Sequence, residues 1–181
     1  MAENDGRAEK AAAAGRWQEE ELGMETRLDP RKVAPDVYRA MLALESVVAS
    51  GGLESNLLDL VRLRASQING CAYCIDMHSK DLRAKGESEQ RLYLLDAWRE
   101  TPFYSDRERA ALAWTEAVTL IADGHAPADV YEQARQHFTE TELAKLTLAV
   151  VAINGWNRFA IAFRAPAGQY EPRHQHEAAM T

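Results

Sequence analysis

Cysteine is nearly absent: of 181 residues, only Cys71 and Cys74 carry thiols. Two near neighbours cannot staple distant parts of a chain, so no disulfide framework supports this fold, and at this length none is needed. Basic clusters are missing too. Against 21 Lys and Arg stand 28 Asp and Glu, a formal net charge of -7 with the acids spread along the chain. Nothing here neutralises a row of phosphates, which argues against nucleic acid and against an anionic membrane surface as partners. Long apolar runs are also lacking. The longest, LTLAVVAI from Leu146 to Ile153, is too short to span a bilayer and reads as a buried helix closed by Asn154 and Gly155. The opening MAENDGRAEKAAAAG has neither the basic start nor the apolar run of a secretory signal, so the default compartment is a reducing cytoplasm. No segment alternates apolar and polar residues with period two, which removes the main signal for strands.

What is present is helical. Residues 1–23 are small and charged without apolar periodicity and read as a mobile extension; residues 171–181, with His174 and His176, read as a flexible tail. Between them, residues 24–170 form one domain, expected to be all-α, a compact bundle of about six to eight helices. Val37, Met41, Leu44 and Val48 recur at helical spacing from Asp36 until Gly51 and Gly52. A second helix runs from Glu54 to Ile68 and stops at Asn69-Gly70, and a third starts at the cysteines and ends at Gly86. Ser88 opens a short helix through Trp98. Ser105 with Glu108, and Thr139 with Glu142, are capping boxes ahead of two apolar helices, and Pro127 suits the first position of another.

The stretch NGCAYCIDMH, Asn69 to His78, holds both cysteines and a histidine. If a helix begins there, Cys71 lies in its first turn, where free backbone N–H groups and the helix dipole favour a thiolate. At about 100° per residue, Cys71, Cys74 and His78 fall within an arc of roughly 60°. Ile75 and Leu82 continue that stripe, which places the trio against a partly enclosed groove. Three chemistries fit: a redox pair with an imidazole in register, three ligands of a zinc site lacking a fourth, or small core residues beside a buried histidine. A c-type haem attachment is excluded, because His78 does not directly follow Cys74. A thioredoxin fold would place the pair after a strand, whereas residues 57–68 read as helix.

LLDLVRLRASQINGCAYCIDMHSKDLRAKG, Leu57 to Gly86, resembles the core of the alkylhydroperoxidase D-like proteins of the carboxymuconolactone decarboxylase superfamily, and INGWNRFAIAFR, Ile153 to Arg164, is similar to their final helix. The resemblance implies an all-helical homo-oligomer (dimer, trimer or hexamer) acting as a peroxidase or thiol–disulfide oxidoreductase on alkyl hydroperoxides, without haem or metal. It also implies an external dithiol reductant, a lipoyl or thioredoxin-like protein. Cys71, Cys74 and His78 match the family's motif, with Cys74, nearer the histidine, as the attacking thiolate. A family glutamate twelve residues before the first cysteine relays protons with the histidine; that position here is Asp59, one methylene shorter, which as a residue read alone is equally a surface partner of Arg62. Tyr73 stands between the cysteines where the best-known peroxidases carry histidine. The wider superfamily offers a lactone decarboxylase as an alternative function, and a non-catalytic, redox-responsive oligomer is another. Trp156, Asn157 and Arg158 read mainly as packing residues of the last helix.

Overall fold

Leu57, Leu58, Leu60, Val61, Leu63 and Ala65 place apolar groups on nearly every side of one helix, and such a helix is stable only in the middle of a bundle. The computed structural model, which describes residues 25–172, puts it there. In chain order the helices are α1 (Pro30–Val33), α2 (Pro35–Ala49), α3 (Ser55–Asn69), α4 (Ala72–Ala84), α5 (Glu89–Leu94), a 3-10 segment (Leu95–Glu100), α6 (Asp106–Thr119), α7 (Ala128–His137) and α8 (Glu140–Phe163). No strand occurs among the described residues, and the all-α expectation is met. The expected extension 1–23 and most of the expected tail lie outside the described residues.

Central α3 packs against α4, α6 and α8. Leu57 and Val61 join Leu146, Val150 and Trp114 in one apolar cluster, while Leu60 and Leu63 join Leu82, Leu95, Trp98 and Leu112 in another. Each fully buried leucine contributes roughly 2 kcal/mol, so the α3 leucines are the fold's main anchor. Both expected capping boxes form at α6 and α8. Gly70, at φ +66°, ends α3 in the left-handed region, and the chain reverses so that the Cys71 N–H reaches the Ser66 carbonyl at 3.0 Å.

Four elements differ from their sequence expectation. Cys71 caps α4 at φ -83°, ψ 95° and so stands just before the first turn, with the helix starting at Ala72. Pro127 likewise is the cap of α7, ahead of its first position. The helix expected over Ser88 to Trp98 splits at Leu94, because tightening to a 3-10 turn aligns Leu95 and Trp98, three apart, so that both are buried. Asn154 and Gly155 do not close the last helix, which continues to Phe163 over 24 residues. The Asn154 side chain is committed to Thr119 and to the Val150 carbonyl, and Gly155 lets α2 approach: a Cβ there would sit 2.8 Å from Met41 Cε. By length and composition α8 could cross a membrane, but its buried face carries Asn154 and Asn157 against α3 and α6, as a core helix does.

Two chain segments flank this bundle, one at the end of α8 and one on α4. Arg27 N–H donates to the Phe163 carbonyl of α8 at 3.0 Å. On the other side, Gly168 N–H donates to Asp76 at 3.0 Å, Lys80 Nζ reaches the Tyr170 carbonyl at 2.8 Å, and Tyr170 Oη donates to Asp81 at 2.7 Å.

Candidate functional site: a buried cysteine pair beside a cavity

The turn at Gly70 and the cap at Cys71 bring the two sulfurs to 2.6 Å, both buried. A hydrogen bond from Cys74 draws Cys71 down to about 7, helped by the Cys74 backbone N–H and by Asn157 and opposed by burial. The same bond to Cys71, together with burial and the neighbouring charge, pushes Cys74 up. The two titrations are tied together, so the pair loses its first proton readily and its second with great difficulty. Cys74 and His78 line a cavity of about 830 Å³, bounded also by Tyr38, Tyr73, Trp156 and Phe159, with the Thr26 and Tyr170 segments at its edge; Cys71 lies behind Cys74. The expected shared face of Cys74, His78 and Leu82 is the buried face of α4.

His78 stands one turn beyond Cys74. Burial, with the positive charges of Arg62 and Lys85, lowers its pKa to about 3, so the imidazole is neutral, and its Nε2 has no hydrogen-bond partner among the described residues. Asp59 is no surface residue: it is 4% exposed, because α3 turns it inward. Its pairing with Arg62 is present, Nη1 to Oδ1 at 3.1 Å, and Lys85 Nζ holds the other oxygen while also reaching Ser55 Oγ at 2.8 Å. Arg62 continues to Glu45 at 2.8 Å, and Trp156 Nε1 donates to that carboxylate at 3.1 Å. Asp59, Arg62, Glu45 and His78 all border the cavity with Cys74.

Behind the sulfurs lies a neutral network whose members the sequence gives as helix ends, Asn69 and Asn154, and as packing, Asn157. Asn69 Nδ2 donates to Asn154 Oδ1 at 2.9 Å and to Asn157 Oδ1 at 2.8 Å, and Asn157 Nδ2 donates to Ser66 Oγ at 3.1 Å. Asn157 is fully buried. The signal was available: Asn154 and Asn157, three apart in an apolar helix, share one face, and two buried amides demand partners. Among the described residues Arg158 pairs with no acid; it donates to the Asn154 carbonyl at 2.8 Å. No cluster of three or more His, Cys, Asp or Glu side chains suited to a metal occurs among the described residues.

Residues 35–117 match the model of the carboxymuconolactone decarboxylase family. The chain is 40% identical to the uncharacterized protein YdfG of Bacillus subtilis (strain 168) over 139 residues, which are 77% of this chain and 95% of YdfG. Among solved structures, a protein of unknown function from Agrobacterium tumefaciens, described as a candidate antioxidant defence protein AhpD, superposes with a TM-score of 0.78 at 47% identity, over 81% of this chain and 100% of that one. The debrominase Bmp8 shares the fold with a TM-score of 0.67 at 18% identity, over 75% of this chain and 73% of its own. The chain belongs to the carboxymuconolactone decarboxylase family and has the AhpD-like fold.

Proposed function

We propose that this protein is a cysteine-based peroxidase, a thiol–disulfide oxidoreductase that reduces organic hydroperoxides through Cys74 and Cys71. The observation that carries the reading is the cavity: Cys74 faces it, with a second sulfur 2.6 Å behind and a neutral imidazole one turn away. Cys74, passing its proton to the Cys71 thiolate beside it, attacks the outer peroxide oxygen; the O–O bond breaks, the inner oxygen takes a proton and leaves as an alcohol, and Cys74 becomes a sulfenic acid. The Cys71 thiol then displaces water from that sulfenic acid, closing a disulfide. An external dithiol, a lipoyl or thioredoxin-like protein, resets the pair by exchange and is itself oxidised to a disulfide.

The leaving alkoxide needs a proton, and His78 is the group to relay it. A neutral imidazole takes a proton on one nitrogen as it releases one from the other, so a pKa near 3 is no obstacle to a relay that never accumulates imidazolium. We assign to Asp59, held by Arg62 and Lys85, the relay role of the family's glutamate. The aromatic wall of Tyr38, Tyr73, Trp156 and Phe159 favours an apolar organic hydroperoxide over hydrogen peroxide.

Intact mass after one equivalent of hydroperoxide tests the assignment. The native chain should lose two hydrogens, Cys71→Ser should stop at a sulfenic acid on Cys74, and Cys74→Ser should react at least ~100-fold more slowly, since the nucleophile that lines the cavity is gone. Sulfenic acid on Cys71 in Cys74→Ser, formed at an undiminished rate, would reverse the roles. Reduced thiols that ignore peroxide in the native chain, with lactone decarboxylation retained by the double serine variant, would favour the decarboxylase alternative.

A further inference from the structure

Three stripes run along α4. Cys74 and His78 face inward, Met77 and Asp81 border the cavity one step round the helix, and Asp76 and Lys80, farther round again, hold chain that returns after α8. That returning strap is residues 165–170, and its Ala165, Pro166, Gln169 and Tyr170 form part of the cavity wall. The strap is held at both backbone polarities: Gly168 N–H donates to Asp76 Oδ2 at 3.0 Å, and the Gly168 carbonyl accepts from Lys80 Nζ at 3.2 Å. The same ammonium reaches the Tyr170 carbonyl at 2.8 Å and Asp76 at 3.0 Å, so all three of its N–H groups are used. Tyr170 Oη completes the row on Asp81 at 2.7 Å. None of these bonds is buried, and none of the strap's residues is either. A segment held by solvent-reached hydrogen bonds, with no buried apolar side chain, opens locally long before the core does. Its root stays fixed, because Ala165 N–H donates to the Ala160 carbonyl of α8 at 2.9 Å.

We infer that residues 165–170 are a lid on the Cys74 cavity, latched to α4 through Lys80, and that release of this latch admits to Cys74 reactants too large for the closed cavity. The inference rests on the redox reading of the pair, where it resolves a mismatch of size. An organic hydroperoxide fits within about 830 Å³, but a dithiol carried on a protein does not, and Cys74 is only 2% exposed. Exchange nevertheless needs contact between sulfurs. A reductant thiolate attacks Cys74 of the disulfide and the Cys71 sulfur leaves as a thiolate. The reductant's second thiolate then attacks its own partner sulfur in the mixed disulfide and frees Cys74, so the pair gains two electrons and two protons while the reductant becomes a disulfide. Cys71 lies behind Cys74 and does not line the cavity, so Cys74 is the sulfur an opened lid would present. Opening leaves the reacting groups in place, because the latch sits on the outer side of the helix whose inner side bears Cys74 and His78.

The test compares reduced full-length chains by the rates at which two reagents alkylate the thiols: N-ethylmaleimide, and a maleimide carried on polyethylene glycol. N-ethylmaleimide should treat the native chain and Lys80→Met alike to within about twofold, whereas the bulky reagent should react about fivefold faster with Lys80→Met, since its rate follows the open fraction. Taking the ratio of the two rates cancels any change in thiolate fraction. Tyr170→Phe removes only the Asp81 bond and should move the ratio in the same direction by less; it carries the test if Lys80→Met does not fold. A ratio equal in the native chain and in a folded variant overturns the lid. After oxidation by cumene hydroperoxide, a reduced thioredoxin should reduce Lys80→Met faster than the native chain, while dithiothreitol reduces both at one rate; no gain for the protein dithiol overturns the lid's part in admitting the reductant. A native chain that ignores the hydroperoxide, yet whose alkylation ratio moves as expected, removes the peroxidase reading and keeps the lid.

Discussion

The two polar clusters that meet at Cys74 are built on opposite plans. Behind the sulfurs, Asn69, Asn154, Asn157 and Ser66 are uncharged and are joined by hydrogen bonds, each donor meeting an oxygen. Across the cavity wall, Arg62, Lys85, Glu45 and Asp59 are charged, and in their midst His78 keeps a buried nitrogen without a partner. A satisfied neutral network has one low-energy arrangement and therefore holds position. A charged cluster beside an unpartnered imidazole leaves a place for a proton to move. The difference teaches a division of labour: the amides tie α8 to α3 beside the cysteines, and the cations of the ion pairs lower the proton affinity of His78.

The largest effect should come from acid. The folded pKa of His78, about 3, lies below its ordinary value of 6.5, so between those limits the unfolded chain binds a proton that the folded chain refuses. Stability from this group is intact above pH 6.5 and is lost as pH falls, at about 1.4 kcal/mol per pH unit, reaching on the order of 3 kcal/mol by pH 4. Urea unfolding at several pH values should show this slope in the native chain and a shallower one, by about one proton, in His78→Phe. Identical slopes would mean that His78 is already charged or solvated, and the wall would lose its distinction from the amides.

Breaking the wall itself should come next. Arg62→Met leaves Glu45 and Asp59 facing each other with Lys85 as the remaining cation, at a cost of about 2–3 kcal/mol, less than a fully buried pair because Glu45 is partly exposed. Removing a positive charge should also raise the His78 titration, which nuclear magnetic resonance of the imidazole reads directly. The matching change behind the sulfurs, Asn157→Leu, strands Asn69 and Ser66 and should cost about 2 kcal/mol while leaving the His78 titration where it was. If Asn157→Leu moves His78 as far as Arg62→Met does, the two clusters are one.

The contrast between the clusters also marks what the sequence made legible. Helix starts were readable because the capping boxes at Ser105 and Thr139 are local, each closed within four residues. The cysteine–histidine face was readable for the same reason, since Cys74 and His78 are one turn apart on α4. Gly155 was misjudged as a stop because its reason is Met41, more than a hundred residues away, and nothing local distinguishes a packing glycine from a breaking one. Asp59 is the mixed case: its pairing with Arg62 is an i,i+3 relation that spacing shows, while its burial depends on Lys85 from α4's end. Asn157 was read mainly as packing, because its partners Asn69 and Ser66 sit on another helix and its carbonyl and amide ends only acquire meaning once all three meet.

Lys85 gives the smallest and sharpest contrast. Its side chain is about one-third exposed, and Asp59 keeps the Arg62 bond when Lys85 is gone, so Lys85→Met should cost under about 1 kcal/mol in unfolding experiments. Its charge nevertheless contributes to the low proton affinity of His78, after burial and Arg62. The His78 titration should therefore rise in Lys85→Met, by less than in Arg62→Met, with little change in stability. That combination would separate the electrostatic role of the wall from its structural one. A loss above about 2 kcal/mol with an unmoved His78 would show instead that Lys85 clamps α4 to α3 through Asp59 and Ser55, and that the imidazole's affinity is set by burial alone.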